Sequence, residues 1–323
     1  MELFRYSKPM PLMGKSKLAM GISSLLVIAS LFLIFTKGLN FGIDFAGGTI
    51  IQVKYEGAAP IDMMRQKLSQ TPIFEGSSIN EFGSPDEVVI RLKNSSESVT
   101  KDIGDITREQ LSGTGKFEIR RVDIVGAKVG SELREKGIMA LTLAIAGILI
   151  YVAFRFEWRF AVASVMALAH DLTIAIGAIS LAGLDVNLDV IAALLTILGY
   201  SINDTIIVFD RIREEISDSS AKTVNDIIDD SVTRTLSRTV LTSLTVFIVL
   251  ITLFVFGGEI IHTFAYTLLV GVIVGTYSSI FVASPLLEML GFNLKTYRAK
   301  LAEKAARTIE KEKMRAQFEQ GVV

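Results

Sequence analysis

The chain has 323 residues, of which 50% are hydrophobic and 21% carry a charge, and its mean hydropathy is +0.48. This mixture predicts membrane spans that alternate with water-exposed parts. The formal net charge of -1 leaves no basic excess to neutralise phosphates, which argues against a nucleic-acid partner. Because the chain has no cysteine, disulfides and thiolate metal sites are excluded.

The first apolar run, residues 18–36, is close to the roughly 20 residues that a spanning helix needs. Segment 1–17 before it is basic, as the start of a secretory signal would also be. Such a signal ends at a small-residue cleavage site, which Lys37-Gly-Leu-Asn-Phe41 does not offer. The run therefore predicts an uncleaved transmembrane helix whose basic end, the N-terminus, lies in the cytoplasm.

Residues 38–136 have the composition of a small water-soluble domain. Alternating apolar residues predict four strands and helical spacing predicts two helices, in the order β-α-β-β-α-β. The predicted strands are 50–55, 78–82, 87–93 and 116–124, and the predicted helices are 61–68 and 99–111, the second with Ser98 as its N-cap. This order predicts an α+β ferredoxin-like fold, one sheet with two helices on one face.

Five further apolar runs predict five more spans, which makes the chain a polytopic α-helical membrane protein with six transmembrane helices. They form a transmembrane region over 138–290, with spans 138–154, 160–181, 190–209, 239–256 and 263–290. In the last span, Gly271 and Gly275 have the small-xxx-small spacing that permits close helix approach. The charged, helix-prone segment 291–323 is predicted to be a solvated cytoplasmic tail.

The basic residues outside the spans determine the predicted orientation. Lys and Arg occur in segment 1–17, in the turn 155–159, in 210–237 and in the tail, whereas loops 184–189 and 257–262 have none. Short loops rich in Lys and Arg stay in the cytoplasm. Both termini are therefore predicted to be cytoplasmic, with the water-soluble domain on the outer, periplasmic side.

The stretch 199–214 places a carboxylate within an apolar run. Counting back from Arg211, where the run meets water, Asp204 lies about two helical turns, roughly 10 Å, into the hydrocarbon. A charge at such depth costs about 2.5–3.5 kcal/mol, which makes Asp204 a candidate functional residue that needs a partner. Alternatively, Asn203 or Asp204 caps a second half-helix where the helix breaks. Broken helices at depth are themselves typical of ion and substrate sites.

Arg238 stands just before the apolar run of the fifth span, at the same cytoplasmic depth as Asp204. It is the nearest countercharge that the topology offers, and pairing would lower the insertion cost of both side chains. The alternative is an ordinary flanking arginine whose head reaches the interface. A further polar pair, His170-Asp171, lies near the middle of the third span. It either relays protons or fixes helix packing as an internally satisfied pair.

Several motifs, taken in their order along the chain, carry a resemblance. They are Phe41-Gly-Ile-Asp-Phe-Ala-Gly-Gly-Thr49, Phe154-Arg-Phe-Glu-Trp-Arg159, Ala167-Leu-Ala-His-Asp171, the stretch 199–214, Leu236-Ser-Arg-Thr239 and residues 275–284. Over nearly its whole length the chain resembles the SecF subunits of the SecD/SecF family of bacterial protein-export membrane proteins, within the resistance-nodulation-division superfamily.

The resemblance implies a proton-driven device that uses the proton gradient as its energy source and needs no cofactor or metal. It implies that Asp204 and Arg238 belong to the proton pathway, together with Asn203 of the same motif. His170 and Asp171 are further candidates for that pathway. The resemblance does not imply an enzyme.

The resemblance also implies an assembly in the bacterial plasma membrane. A separate SecD-like subunit would supply the other half of a hetero-oligomer. The further partners would be the Sec channel complex, the translocating unfolded polypeptide and membrane lipid. The external domain would move and assist the polypeptide. Asp44, Gly47 and Gly48 match the family motif near that domain.

Three other functions remain open. A proton-driven exporter of small molecules or lipids from the same superfamily would typically have twelve spans and two large external domains. An intramembrane aspartyl protease would use Asp171 and Asp204 as a carboxylate dyad, although the usual Gly-x-Gly-Asp signature is absent. An assembly subunit would use its polar groups only structurally.

Overall fold

A computed structural model describes residues 9–92, 103–218 and 223–319 of the chain. Its helices and strands, in chain order, are α1 (Ser16–Thr36), β1 (Asn40–Phe41), α2 (Ile43–Ala46), β2 (Gly48–Tyr55), α3 (Ile61–Leu68), β3 (Ser78–Phe82), β4 (Ser84–Leu92), α4 (Ile103–Gln110), β5 (Phe117–Val125), α5 (Ala127–Arg155), α6 (Trp158–Ala182), β6 (Asp185–Val186), α7 (Leu188–Asp218), α8 (Val224–Phe256), α9 (Gly258–Ser278), α10 (Ser284–Met289) and α11 (Leu294–Glu319). A π-helical turn, Ser279–Ala283, joins α9 to α10.

Within those ranges, six helices are long and apolar enough to cross a membrane, which confirms the predicted number of spans. They are α1, α5, α6, α7, α8 and the continuous unit of α9 and α10. The chain is therefore a multi-pass membrane protein. The charged tail helix α11 follows them.

Three of the membrane helices extend well beyond the apolar runs that predict them. Helix α5 starts at Ala127, α7 continues to Asp218, and α8 starts at Val224. Hydropathy detects only the part of a helix that lies in hydrocarbon, and the helix can continue into water. At α8 a capping box between Thr223 and Asp226 stabilises the start, because each residue's side chain accepts a hydrogen bond from the other's backbone N–H.

Helices α6, α7 and the last span form the centre of the bundle. In their most apolar windows, 61%, 50% and 67% of the residues are buried, against 17% in α1, 11% in α5 and 17% in α8. The three peripheral helices therefore present most of their apolar side chains outward, as helices in contact with lipid or with another subunit do.

Small residues allow the central helices to approach closely. A Cβ atom added to Gly271 of α9 would lie 2.3 Å from the Ile197 side chain of α7. One turn later, a Cβ atom on Gly275 would lie 3.0 Å from the Cβ atom of Ser201. The predicted close approach at this small-xxx-small motif is confirmed.

Strands β2 to β5 form one antiparallel sheet in the order β3-β4-β2-β5. Helix α3 connects β2 to β3, and α4 lies between β4 and β5, so the elements follow the predicted β-α-β-β-α-β order. The buried core between the sheet and its helices contains Ile51, Val53, Met64, Leu68, Val88, Ile90, Ile103 and Leu111. The alternation along β2 and β4 places Ile51, Val53, Val88 and Ile90 on one face of the sheet.

The bounds of most elements in the domain differ from the predictions by one or two residues, and two differences are larger. Strand β4 starts at Ser84 rather than 87, directly after Gly83, whose φ of 74° makes the reversal tight. Residues 127–136, predicted as part of the domain, form the polar first turns of α5. The Ser98 cap and the start of the predicted helix 99–111 lie outside the described residues.

The other face of the sheet lies opposite β6 and Asn187, which precede α7. Gln52 and Arg91 of the sheet, Asp185 of β6 and Asn187 line a cleft of about 460 Å³ between them. The Arg91 guanidinium lies 3.6 Å from the Asp185 carboxylate across this cleft. The domain is thus held against the ends of the membrane helices.

Candidate functional site in the membrane helices

The stretch 199–214 is helical throughout as part of α7. The alternative of a helix break capped by Asn203 or Asp204 is therefore wrong. Asp204 is 1% exposed, and its Oδ2 atom has no hydrogen-bond partner among the described residues. A buried carboxylate oxygen without a partner is costly, and binding a proton relieves that cost.

Arg238 of α8 acts on Asp204 by Coulombic attraction, whereas Ser243, further along the same helix, is a hydrogen-bonding neighbour of its carboxylate. Arg238 and Asp204 are both described, and no ion pair within 4.0 Å joins them. The Arg238 side chain is instead exposed at the surface of the bundle, as is that of Asn203. The structure thus gives Asp204 and Arg238 an electrostatic attraction without direct contact.

Asp171 is fully buried and connects three helices. Its Oδ1 atom lies 2.9 Å from Nδ1 of His170 on the same helix. Its Oδ2 atom accepts hydrogen bonds from Ser201 Oγ of α7 at 2.6 Å and from Ser278 Oγ of α9 at 2.8 Å. Ser201 lies one turn before Asp204 on α7. The Asp171 carboxylate therefore fixes the helix that carries Asp204.

The His170-Asp171 pair is largely satisfied internally. Only His170 Nε2, buried and without a hydrogen-bond partner among the described residues, is left unpaired. Asp171 and Asp204 share no hydrogen bond in the described structure, whereas a carboxylate dyad holds one proton between its two groups. This arrangement does not favour the protease alternative.

A chain of hydroxyl groups, which sequence reasoning missed, crosses three helices close to Asp204. Tyr200 Oη of α7 donates to Ser243 Oγ of α8 at 3.4 Å. Ser243 Oγ lies 2.7 Å from Thr276 Oγ1 of α9. Ser and Thr are common in membrane helices, so no sequence signal distinguishes these residues.

A second group of charges that the sequence did not single out lies near the C-terminal end of α7. Glu215 is 4% exposed, and its Oε2 atom lies 3.8 Å from Arg211 of the same helix and 3.7 Å from Arg234 of α8. These ion pairs connect α7 and α8 beyond the position of Asp204. Here α7 and α8 are therefore in direct ionic contact, unlike at Asp204 and Arg238.

The predicted motif residues Asp44, Gly47 and Gly48 lie where the domain meets the membrane helices. The Asp44 carboxylate accepts a hydrogen bond at 3.0 Å from the backbone N of Leu188, the first residue of α7. A carboxylate at a helix N-terminus stabilises that helix. Asp44 thus ties the start of the domain to α7.

The two glycines bring the backbone of the motif close to its neighbours. Gly47 and Gly48 have φ angles of 74° and 141°, which favour glycine. A Cβ atom on Gly47 would lie 2.8 Å from Cα of Ala127 in α5, and one on Gly48 would lie 2.3 Å from the carbonyl oxygen of Leu92. The motif therefore seats the domain directly on the first turn of α5.

The described residues contain six candidate membrane helices, with ionisable groups buried between them and one α+β domain at one end. They define a multi-pass membrane protein whose buried ionisable groups are candidates for a functional site. The family model described as "Protein export membrane protein SecD/SecF, C-terminal" matches residues 106–293. The model described as "SecD/SecF GG Motif" matches residues 32–59, which include Asp44, Gly47 and Gly48. The chain belongs to the SecD/SecF family of protein-export membrane proteins.

Relatives named "Protein translocase subunit SecF" match the chain along its length. The chain is 47% identical to the one from Helicobacter pylori strain J99 over 323 residues, which cover 100% of both chains. The relative from Calditerrivibrio nitroreducens is 48% identical over 90% of this chain and 97% of its own length. The relative from Escherichia coli O157:H7 is 40% identical over 84% and 85%, respectively. These relatives are translocase subunits, in agreement with the prediction that the chain is not an enzyme.

A crystal structure of SecDF from Thermus thermophilus, described as a translocon-associated membrane protein, is similar in fold. Its TM-score is 0.81 at 34% identity, and the match covers 90% of this chain. The match covers only 40% of the SecDF chain. A second SecDF structure, in a super-membrane-facing form, has a TM-score of 0.65 at 33% identity, with 94% of this chain and 41% of that chain covered.

Proposed function

We propose that this chain is a proton-coupled subunit of the bacterial Sec protein-export machinery. With a SecD-like subunit it uses the proton gradient to assist the translocation of unfolded polypeptides that leave the Sec channel. The observation that carries the proposal is the buried Asp204 carboxylate, whose Oδ2 atom has no hydrogen-bond partner among the described residues and on which Arg238 acts. The names of the relatives support the role in export.

Asp204 binds the proton in this proposal. While Asp204 is ionised, it attracts Arg238 and draws α7 and α8 together. Protonation of Oδ2 removes this attraction and lets the two helices shift. Moving one charge through 100 mV is worth about 2.3 kcal/mol, which falls within the roughly 1–3 kcal/mol of typical coupling energies between sites. One proton per step is therefore enough to bias a two-state external domain.

Helix α7 transmits the movement in this proposal, because it carries Asp204 and begins at the contact with Asp44. Strand β1 also pairs with β6, directly before α7, through Asn40 opposite Asp185 and Phe41 opposite Val186. A shift of α7 along or about its axis is therefore passed to the start of the external domain. His170 and Asp171 support the pathway by fixing α7 through Ser201.

A SecD-like subunit covers the exposed polar groups in this proposal. Asn203 and Arg238 are exposed on helices that cross the membrane, where contact with lipid tails would be costly. A second set of membrane helices against this side would remove them from lipid. The SecDF chain of Thermus thermophilus, of which the match covers 40%, is long enough to contain such a second set.

The distribution of Lys and Arg supports cytoplasmic termini and an outer, periplasmic position for the domain over residues 38–136, in the plasma membrane. The sheet order β3-β4-β2-β5 and the two connecting helices support the ferredoxin-like class for this domain. The proton gradient is the energy source, with no cofactor.

Export by membrane vesicles that contain this chain, a SecD-like subunit and the Sec channel tests the proposal. We expect Asp204→Asn to insert and to bind its partner, but to abolish the part of export that depends on the proton gradient. The matched control, Asp105→Asn on the exposed surface of α4, removes the same charge and should export normally. Normal gradient-dependent export by the Asp204 variant would refute the proposal.

A further inference from the structure

The motif Phe154-Arg-Phe-Glu-Trp-Arg159 has no part in the proposed proton coupling. It forms the connection between the C-terminal end of α5, at Arg155, and the N-terminal end of α6, at Trp158. Because both are membrane-spanning helices, this connection lies at the level of the lipid headgroups. The chemistry of its side chains therefore concerns the interface between lipid and water.

Two guanidinium groups are held side by side at this connection. Arg155 and Arg213 of α7 lie over the ring of Phe156, with 5.3 Å and 5.5 Å between the guanidinium carbon and the ring centroid. Both side chains bind the same atom, Oδ1 of Asp210, at 3.1 Å and 3.3 Å. One carboxylate oxygen thus serves two cations, and each guanidinium has further N–H donors.

The Arg155 and Arg213 side chains are 42% and 32% exposed, so these donors can be reached from outside. Neighbouring charges do not cancel the excess. Arg159 and Lys300 share Glu157, at 3.0 Å and 3.4 Å. In the ion pairs of the described residues at this connection, four basic side chains are therefore balanced by two carboxylates, a local net charge of +2 from 4 − 2.

Exposed aromatic side chains flank the cluster along the chain. Phe154 is 88% exposed, and Tyr151 and Trp158 are each 54% exposed. The Arg159 guanidinium lies 4.9 Å from the centre of the Trp158 ring. Trp and Tyr at this depth are typical of the boundary between headgroups and acyl chains. Acyl chains can therefore pack beside the cluster while a headgroup reaches the guanidiniums.

We propose that Arg155 and Arg213 bind the phosphate of an anionic phospholipid, whose acyl chains lie against Phe154 and Trp158. Charge complementarity favours this ligand, because basic pockets between membrane helices bind anionic headgroups and guanidinium forks match phosphate oxygens. Asp210 competes with the phosphate for the same donors. This inference does not depend on proton coupling, since Asp204 takes no part in it.

Lipid retention by the purified full-length chain tests the inference. The chain is equilibrated with equal amounts of phosphatidylglycerol and phosphatidylcholine, and bound lipid is counted by native mass spectrometry. We expect selective retention of phosphatidylglycerol, which the double variant Arg155→Gln/Arg213→Gln loses by about fivefold for each arginine removed. The control Lys311→Gln/Lys313→Gln removes the same charge from exposed positions of α11 and should retain the lipid.

A variant with the opposite expected sign separates lipid binding from misfolding. Asp210→Asn removes the competing carboxylate and should increase the retention of phosphatidylglycerol, whereas a damaged fold would decrease it. Unchanged or decreased retention by this variant would overturn the inference, as would equal retention by the double-arginine variant and the wild type. Displacement of the lipid by inorganic phosphate at millimolar concentration, or loss of selectivity when a SecD-like subunit is bound, would also overturn it.

Discussion

Replacing Gly47 by alanine perturbs the contact that seats the external domain on α5. Gly47 has φ 74° and ψ 162°, a backbone conformation that is essentially restricted to glycine. An added Cβ atom would also lie 2.8 Å and 2.9 Å from Cα and N of Ala127. Both atoms belong to the backbone, so no side-chain rotation can relieve the clash.

The two costs add. Holding alanine in such a conformation costs about 1–3 kcal/mol, and overpacking a close contact costs about 1–3 kcal/mol more. A matched control is Gly76→Ala, because Gly76 has the same φ of 74° but no atom within 4 Å of an added Cβ atom. This variant is expected to cost about 1–2 kcal/mol, and to act elsewhere in the domain.

Hydrogen exchange of the full-length protein measures the difference. In Gly47→Ala, peptides that cover 43–48 and 127–131 should exchange at least about 30-fold faster, since 2 kcal/mol corresponds to that factor. In Gly76→Ala, the same peptides should exchange nearly as in the wild type. Equal acceleration by both variants would show that the contact with Ala127 does not require glycine at position 47.

Two further predictions concern buried polar groups. Asp171→Ala leaves the hydroxyl donors of Ser201 and Ser278 without their acceptor, whereas Asp171→Asn retains an acceptor oxygen. The alanine variant should therefore lower the thermal stability of the detergent-solubilised chain more than the asparagine variant. The reverse order would contradict these hydrogen bonds. In the external domain, burial raises the pKa of Tyr55, although its hydrogen bond with Thr114 opposes the shift. The neutral phenol therefore stabilises the domain below its ordinary pKa of 10.0, and this contribution is lost as the pH rises through the raised pKa. Unfolding followed from about pH 9 to 11 should show this loss in the wild type but not in Tyr55→Phe, and an equal loss in both would contradict the assignment.

The helices and strands were largely predictable because their signals are local. Run length and hydropathy predict six spans, and the described residues contain six candidate helices. The order of strands and helices in the domain followed from alternation and helical spacing. The start of α8 at Val224 was missed because residues 224–238 are helical but polar, and hydropathy does not detect such a helix.

The contacts of the candidate site were less predictable because they join distant parts of the chain. Ser201 and Ser278 lie 30 and 107 residues from Asp171, and neither has a sequence signal that separates it from other serines. The predicted topology was enough to place Arg238 at the depth of Asp204. Whether its side chain points towards Asp204 depends on the rotation of α8 about its axis, which helix packing determines.

Proton flux tests the central role of Asp204 most directly. Vesicles reconstituted with this chain and its SecD-like subunit, and loaded with a pH-sensitive dye, are exposed to an imposed pH gradient. We expect flux in the wild type and in the Asp105→Asn control, and its loss in Asp204→Asn assembled to the same level. Undiminished proton flux through the Asp204→Asn complex would show that Asp204 does not carry the proton.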